Sequence, residues 1–311
     1  MRLLFVMDPP ERMLPDKDTS FAFLRAALAR GHEPFVCEPH QVSLHRREVS
    51  ARARSIRVSD AAPHVTTGPP ELVELASLGA VLVRKDPPFD VAYLHLTQQL
   101  DLVKDRVLVV NDPGALRDAN EKLFAFHFAD CMPRSLVSAD RDALLAFVDE
   151  VGGEAVLKPL DGAGGLGVVG LSRRDRNARA LVDLLTREGR ELALVQEYLP
   201  AVRGGDKRVL LLDGAPLGAI RRVPREDDLR ANIHVGGRVE ATELTPGEAA
   251  LVAKIGPELA RRGLYFVGLD LIAERLIEVN VTSPTGIQEL SRHEGRPVEA
   301  DVIAWLERKA R

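Results

Sequence analysis

The sequence predicts an α/β fold, an open and mainly parallel sheet with covering helices, which passes into α+β architecture in the later part of the chain. Three observations carry this. Short apolar runs at 3–7, 34–38, 80–83 and 107–110 have strand length and alternate with helical stretches. Three of them end on polar, proline-containing loops: Asp8-Pro9-Pro10, Lys85-Asp86-Pro87-Pro88 and Asn111-Asp112-Pro113. Beyond residue 190 the connections shorten into hairpins, with Asp213-Gly214 as a strong turn between two apolar runs.

Taken in order, 3–7 is a first core strand and 21–30 a helix stopped by Gly31. Strands follow at 34–38, 80–83 and 107–110. In such sheets ligands sit beyond the carboxyl ends of the strands, which is where Asp8, Lys85 and Asn111 fall. A helix is expected over 119–129, a strand at 156–159, a glycine-rich segment at 161–170 and a helix at 178–187. Residues 192–196, 207–212 and 215–222 read as strands, and 246–262 as a helix ended by Gly263. Residues 266–272 and 276–281 form a last hairpin. A short helix carrying Val302, Ile303, Trp305 and Leu306 closes the chain, with Trp305 as its docking contact.

A chain of 311 residues exceeds one ordinary core and divides into two or three units. With 45% hydrophobic and 28% charged residues, no large disordered tail is expected. A net charge of −4 argues against nucleic-acid binding. The densest basic stretch, Arg46, Arg47, Arg52, Arg54 and Arg57, is interrupted by Glu48, has no interleaved aromatics and reads as a solvated strand face. Cys37 and Cys131 make no CxxC pattern, so the chain suits a reducing cytosol and a cytoplasmic location is expected. No run has the length of a membrane span, and 3–7 is too short an apolar run for a signal peptide. His127 and Cys131 have metal-compatible spacing, but no other soft ligand lies nearby in sequence.

The sharpest chemical signal is the last hairpin. Alternation puts Glu278 and Asn280 on one strand face and Ile277 and Val279 on the other, and a turn centred on Glu274 brings Asp270 opposite or nearly opposite Glu278. Facing carboxylates repel each other. With the amide oxygen of Asn280 they suit a hard cation such as magnesium, although a solvated edge face has the same pattern. The second signal is Lys158 at a strand end before Gly162, Gly164, Gly165 and Gly167. Glycine backbone can approach an anion closely and lysine adds a point charge for phosphate, but the spacing fits neither a P-loop nor a dinucleotide fingerprint. Lys122, the strand end at Gln196-Glu197-Tyr198-Leu199, and Arg208 beside Asp206 are each weak alone.

Their order is specific. Lysine, lysine with a glycine loop, acidic strand end, arginine, then Asp…Glu-x-Asn is the order of the ATP-grasp superfamily, in which two α+β subdomains hold ATP between them. Val6-Met7-Asp8-Pro9, Arg84-Lys85-Asp86-Pro87-Pro88-Phe89-Asp90, Asn120-Glu121-Lys122-Leu123, Lys158-Pro159-Leu160-Asp161-Gly162, Asp206-Lys207-Arg208-Val209-Leu210, Phe266-Val267-Gly268-Leu269-Asp270 and Glu278-Val279-Asn280-Val281-Thr282-Ser283-Pro284-Thr285 resemble bacterial glutathione synthetase over nearly the whole chain.

The resemblance implies an N-terminal substrate-binding domain at 1–118, a lid subdomain at 119–198 and a catalytic subdomain at 199–311. It implies ligation of γ-glutamylcysteine to glycine, with ATP converted to ADP and phosphate through an acyl phosphate. Lys122, Lys158 and the loop glycines Gly162, Gly164, Gly165 and Gly167 would meet the ATP phosphates. Gln196, Glu197, Tyr198 and Leu199 would line the adenine, and Asp206 the ribose. Asp270, Glu278 and Asn280 would hold magnesium, with manganese as an alternative. Arg208, Arg230 and Asn232 would face the transferred phosphate and the dipeptide, and Arg84, Lys85, Asp86, Ser283, Thr285 and Gln288 would line the peptide site. A homo-oligomer without nucleic-acid or membrane partners is implied as well. The chain departs from the pattern at Gln288, where relatives often have arginine, at Glu197, where they often have a neutral amide, and at Glu226-Asp227-Asp228. A ligase with another carboxylate or amine, and a nucleotide-dependent binding protein without catalysis, are the rival readings.

Overall fold

The computed structural model describes residues 1–119, 121–162, 164–225 and 238–310. The N-terminal part contains β1 (Arg2–Met7), α1 (Thr19–Ala29), β2 (Glu33–Cys37), β3 (Val42–His45), β4 (Glu48–Val58), β5 (Val65–Glu74), β6 (Ala80–Arg84), α2 (Val91–Asp101), β7 (Leu108–Val110) and α3 (Pro113–Asp118). Strands β2, β1, β6 and β7 are parallel neighbours, as the alternation of strands and helices predicts. Helix α1 starts where the Asp18 carboxylate accepts from the Ser20 amide. The expectation of a mainly parallel sheet omits β3, β4 and β5, which pair antiparallel beside β2. In β4 small Ala51 and Ala53 fill the inner face between exposed polar residues, and a register shift between Arg54 and Ile56 breaks the alternation, so the strand signal is weak.

The middle part contains β8 (Ser135–Ser138), α4 (Arg141–Glu150), β9 (Glu154–Pro159), β10 (Val169–Ser172), α5 (Ala178–Leu185) and β11 (Ala193–Glu197). It forms an antiparallel sheet in the order β10-β9-β11-β8, with a hydrophobic core of its own around Leu144, Val148, Leu157, Val182 and Val195. The helix expected over 119–129 is not formed. Residues 121–123 are a turn, and Phe124–Cys131 is a 3-10 stretch broken at Phe128. Helix propensity is weak in this aromatic-rich segment, and burial of Phe124, Ala125 and Phe128 decides its path.

The last part contains β12 (Asp206–Leu212), β13 (Ala215–Val223), β14 (Arg238–Ala241), α6 (Pro246–Arg261), β15 (Phe266–Ile272), β16 (Arg275–Asn280), α7 (Ile287–Glu294) and α8 (Glu299–Lys309). Its antiparallel sheet runs β14-β13-β12-β15-β16. A capping box between Thr245 and Glu248 opens α6.

This part shares its packing with the N-terminal part. Phe21, Phe23 and Leu24 of α1 join Val302, Ile303 and Leu306 of α8 and Leu210 of β12 in one core. Trp305 docks α8 as expected, its indole donating to Asp213 at 2.9 Å. Asn111 stitches the same two parts together. Its Nδ2 donates to the carbonyls of Phe266 (2.9 Å) and Val281 (2.8 Å), and its Oδ1 accepts from the amides of Tyr265 and Phe266, both at 2.8 Å. Asn111 therefore serves the fold rather than a ligand. No helix of the described residues is long and apolar enough to cross a membrane.

Candidate active site

The β15–β16 hairpin provides the floor of the site. Ala273 and Glu274 both have positive φ, as a tight two-residue turn requires, and the register pairs Asp270 with Glu278 directly. Leu271 pairs with Leu276, so Ile277 is the extra residue of a bulge. Strict alternation would have sent Ile277 to the far face, but the bulge turns both Ile277 and Glu278 toward the same cleft.

That cleft lies between the middle and last sheets. Lys122, Lys158, Gly162, Gly164, Gly165 and Asp206 line it together with Gln196, Glu197, Tyr198 and Leu199. Val156, Val168, Val202, Ile272 and Ile277 supply an apolar lining that polar motifs could not reveal. Lys158 donates to Gln196 Oε1 at 2.8 Å, and Gln196 Nε2 donates to Ser135 at 2.9 Å, which fixes the amide orientation. Lys122 donates to the carbonyls of Gly162 and Leu160 and lies 3.2 Å from Glu278. It thus joins the glycine loop to the floor. Burial pulls the Lys158 ammonium down to about 8, a shift that Glu278 opposes and Lys122 reinforces. Gly167 does not line the cleft. Its positive φ and close approach to the Pro159 ring, where a Cβ would lie 2.8 Å from Cγ, make it a turn residue at the root of the loop.

A second cavity of about 540 Å³ adjoins the first and shares Gly164 and Glu278 with it. Arg84, Lys85, Asp86, Ser283, Thr285, Arg208 and Asn280 line it, so this part of the expected substrate set is brought together. Arg84 is buried and donates to Ser20 Oγ and Pro284 O, both at 3.1 Å. Lys85 lies 3.0 Å from Asp8. Arg12, Lys17, Asp18, Glu121, Arg222 and Glu289 also line this cavity. Glu121 accepts from Thr282 at 2.9 Å, and burial followed by the charge of Glu278 pushes its carboxyl up to about 7. Of these additions Glu121 lies inside a segment that carried the resemblance, and Arg222 had a signal as an arginine in register with the inward-facing Ile220 of a strand.

Asp270 joins the two cavities electrostatically. Arg208 grips it through Nε and through Nη2, the latter 3.0 Å from Oδ2, and Arg222 lies 3.0 Å from the same oxygen. Burial would push the Asp270 carboxyl up, but the two guanidinium groups outweigh it and hold the group well below the usual carboxylate range. Arg222 also pairs with Asp206 at 2.6 Å. Asn280 Nδ2 donates to Gly268 O and to Asp270 Oδ2. Two carboxylates and one amide on one face are hard oxygen donors. Among the described residues no cluster of three His, Cys, Asp or Glu side chains is assembled. These three donors are fewer than a hard cation takes, so a cation held here would need further oxygen ligands.

Gln288 was expected at the peptide site, and the structure places it elsewhere. Gly286, at φ 115, turns the chain into α7, so Ile287 enters the core and Gln288 points at main-chain carbonyls of Pro15 and Asp18. It is 4% exposed and lines neither of these two cavities. Arg230, Asn232 and Glu226-Asp227-Asp228 lie outside the described residues.

Residues 1–117 match the prokaryotic glutathione synthetase N-terminal domain, and residues 121–295 match the ATP-grasp domain of the same family. The chain belongs to the prokaryotic glutathione synthetase family. It is 42% identical to the glutathione synthetase of Gloeobacter violaceus, covering 98% of this chain and 96% of that one. It is 44% identical to that of Brucella melitensis, covering 91% of each. Among solved structures it resembles the ATP-grasp ligase PsnB complexed with precursor peptide PsnA2 and AMPPNP, with a TM-score of 0.63, 19% identity and coverage of 99% and 98%. It also resembles D-cycloserine synthetase DcsG, with a TM-score of 0.66, 17% identity and 99% coverage of both chains. These two likenesses establish the ATP-grasp fold. Membership of the family makes the chain an ATP-dependent ligase that uses a divalent metal ion.

Proposed function

We propose that this ligase joins the cysteinyl carboxylate of γ-glutamylcysteine to the amine of glycine, giving glutathione, ADP and phosphate. The observation that carries this reading is the meeting of the two cavities at Glu278 and Gly164, so that a nucleotide in one and a carboxylate in the other converge on one acidic floor. Asp270, Glu278 and Asn280 would hold magnesium, which when bound neutralises the phosphate charge during transfer.

Lys122 and Lys158 line the first cleft and would bring positive charge to the ATP phosphates. Arg208 spends Nε and one Nη2 proton on Asp270 and one Nη1 proton on Thr285 O, which leaves an N–H on each terminal nitrogen for the transferred phosphoryl group. The carboxylate attacks the γ-phosphorus, ADP leaves, and the mixed anhydride is then opened by the glycine nitrogen with loss of phosphate and a proton. Water would destroy that anhydride, so the segment from Gly162 to Gly167 serves as the cover. Arg230 and Asn232 belong to the same proposal as groups facing the phosphate. A homo-oligomer in the cytoplasm is the proposed state.

Gln288 no longer favours another acyl donor, because it does not touch the cavity. The test is phosphate release from ATP with γ-glutamylcysteine, with and without glycine, alongside mass detection of the tripeptide. Glycine-dependent tripeptide formation is the expected result. Absence of phosphate release under both conditions overturns the reading.

A further inference from the structure

One wall of the second cavity is the turn between a short 3-10 segment, Pro10–Arg12, and α1, which contributes Met13, Leu14, Lys17 and Asp18. This turn is held from behind by α7. Gln288 Nε2 donates to Pro15 O at 3.1 Å and to Asp18 O at 2.7 Å, and Arg292 Nη1, one helical turn later, donates to Asp16 O at 2.8 Å. Three carbonyls of the turn are therefore captured by two side chains from the far end of the sequence. The turn also closes on itself, with the amides of Lys17 and Asp18 both donating to Leu14 O.

Met13 anchors the start of the turn in the core, but Leu14 is 55% exposed and Lys17 is exposed, so beyond Met13 the turn is held by these hydrogen bonds. The restraint fixes what the turn presents to the cavity. Most cations lining that cavity are already engaged: Lys85 by Asp8, Arg84 by Ser20 and Pro284, Arg208 by Asp270, and Arg222 by Asp206 and Asp270. Lys17 and its neighbour Arg12 have no side-chain partner among the described residues. A lysine with no side-chain partner, carried on a restrained turn that lines a polar cavity, can receive an anion there.

We propose that Lys17 is a specificity-determining residue that receives the carboxylate of the acyl-donor peptide that is not activated, the glutamyl α-carboxylate. Gln288 is the positioning residue that holds its turn. This rests on the reading of the chain as a glutathione-forming ligase. Only donor groups are needed at position 288, so a neutral amide suffices there and an arginine would serve as well.

The test compares steady-state kinetics for γ-glutamylcysteine and for its analogue with the glutamyl α-carboxylate converted to an amide. Wild-type turnover with the unmodified dipeptide decides the functional reading first, and the proposal falls with that reading if there is none. Given turnover, Lys17→Met should raise the dipeptide KM by roughly tenfold or more, the usual effect of losing a charged hydrogen bond, while the KM for ATP stays put. The amide analogue should not distinguish wild type from Lys17→Met, and Lys17→Arg should restore the dipeptide KM. Gln288→Leu should raise the dipeptide KM selectively and Gln288→Arg should not. If Gln288→Leu proves unfolded by its thermal midpoint, the exposed Lys17 variants decide alone. An unchanged dipeptide KM in Lys17→Met, or equal losses for the acid and the amide, overturns the proposal.

Discussion

Asp270 and Glu278 face each other as direct cross-strand partners in the β15–β16 hairpin, and each is met by a cation from elsewhere in the chain. Arg208 Nη2 lies 3.0 Å from Asp270 Oδ2, and Lys122 lies 3.2 Å from Glu278. Two carboxylates so placed are stable only with such charges around them. The arrangement leaves Glu278, at 20% side-chain exposure, more open to a ligand than Asp270 at 5%.

Replacing Glu278 by glutamine should therefore abolish ligase turnover without unfolding the protein. The change keeps the side-chain shape and removes one anionic oxygen from the expected metal set. Turnover at limiting magnesium should fall by at least about 100-fold, more than loss of an outer-shell partner usually costs. Near-normal turnover under that condition would remove Glu278 from the set.

Arg222→Met should destabilise the protein by about 3–5 kcal/mol, the usual cost of breaking a buried ion pair. Its guanidinium serves both Asp206 and Asp270, and all three side chains are largely buried. Urea unfolding of the two proteins measures the difference. A loss below about 1 kcal/mol would show that the two carboxylates tolerate each other without Arg222.

Nucleotide binding should take up protons near pH 8.5. Lysine titrates at 10.5 in the absence of burial, and burial brings Lys158 to about 8. Between these values the unfolded chain binds more protons, so this group's contribution to stability rises with pH across that window and its cost is fully present below pH 8. Polyphosphate beside Lys158 favours the ammonium and raises its pKa. Binding then draws in a proton, and affinity weakens as pH rises above 8. Calorimetry of an ATP analogue in two buffers of different ionisation enthalpy reads the uptake, which Lys158→Met should abolish. Equal uptake in both proteins would assign the proton to another group.

Asn111→Ala should cost about 3 kcal/mol, because its removal orphans buried backbone groups of β15 and the end of β16 at the junction of the first and last parts. Asn111→Asp should fail to restore stability, since a carboxylate cannot donate to the Phe266 and Val281 carbonyls. Denaturant midpoints for the three proteins check this, and a fully stable aspartate variant would contradict it.

The glycine loop should gain order with nucleotide. Gly164, Gly165 and Gly167 all have positive φ, and Leu166 between them is 74% exposed, so little side-chain packing holds the segment. Amide exchange at 164–167 should slow when an ATP analogue is added. Equal protection with and without it would argue against a cover.

Much of the site was legible because it depends on short-range geometry. Alternation in a strand put Glu278 and Asn280 on one face, and the length of one hairpin put Asp270 opposite Glu278. The order of Lys122, Lys158, Arg208 and Asp270 along the chain pointed to the ATP-grasp superfamily, and the short segments around them and in the N-terminal part pointed to the family. The bulge at Ile277 already lay beyond that logic. One unpaired residue cancels alternation locally, and no residue type announces it.

The sequence by itself thus determined the strand and helix alternation, the family and most of the charged lining of both cavities. Tertiary structure alone decided the roles of Asn111, Arg222 and Gln288. Asn111 bonds residues more than 150 positions away, and Gln288 bonds residues more than 260 away. Arg222 becomes a partner of Asp270 only because β12 lies between β13 and β15 in the sheet. The direction in which a buried polar side chain spends its donors is set by whatever backbone or charge the fold packs beside it, and that neighbour is absent from the local sequence.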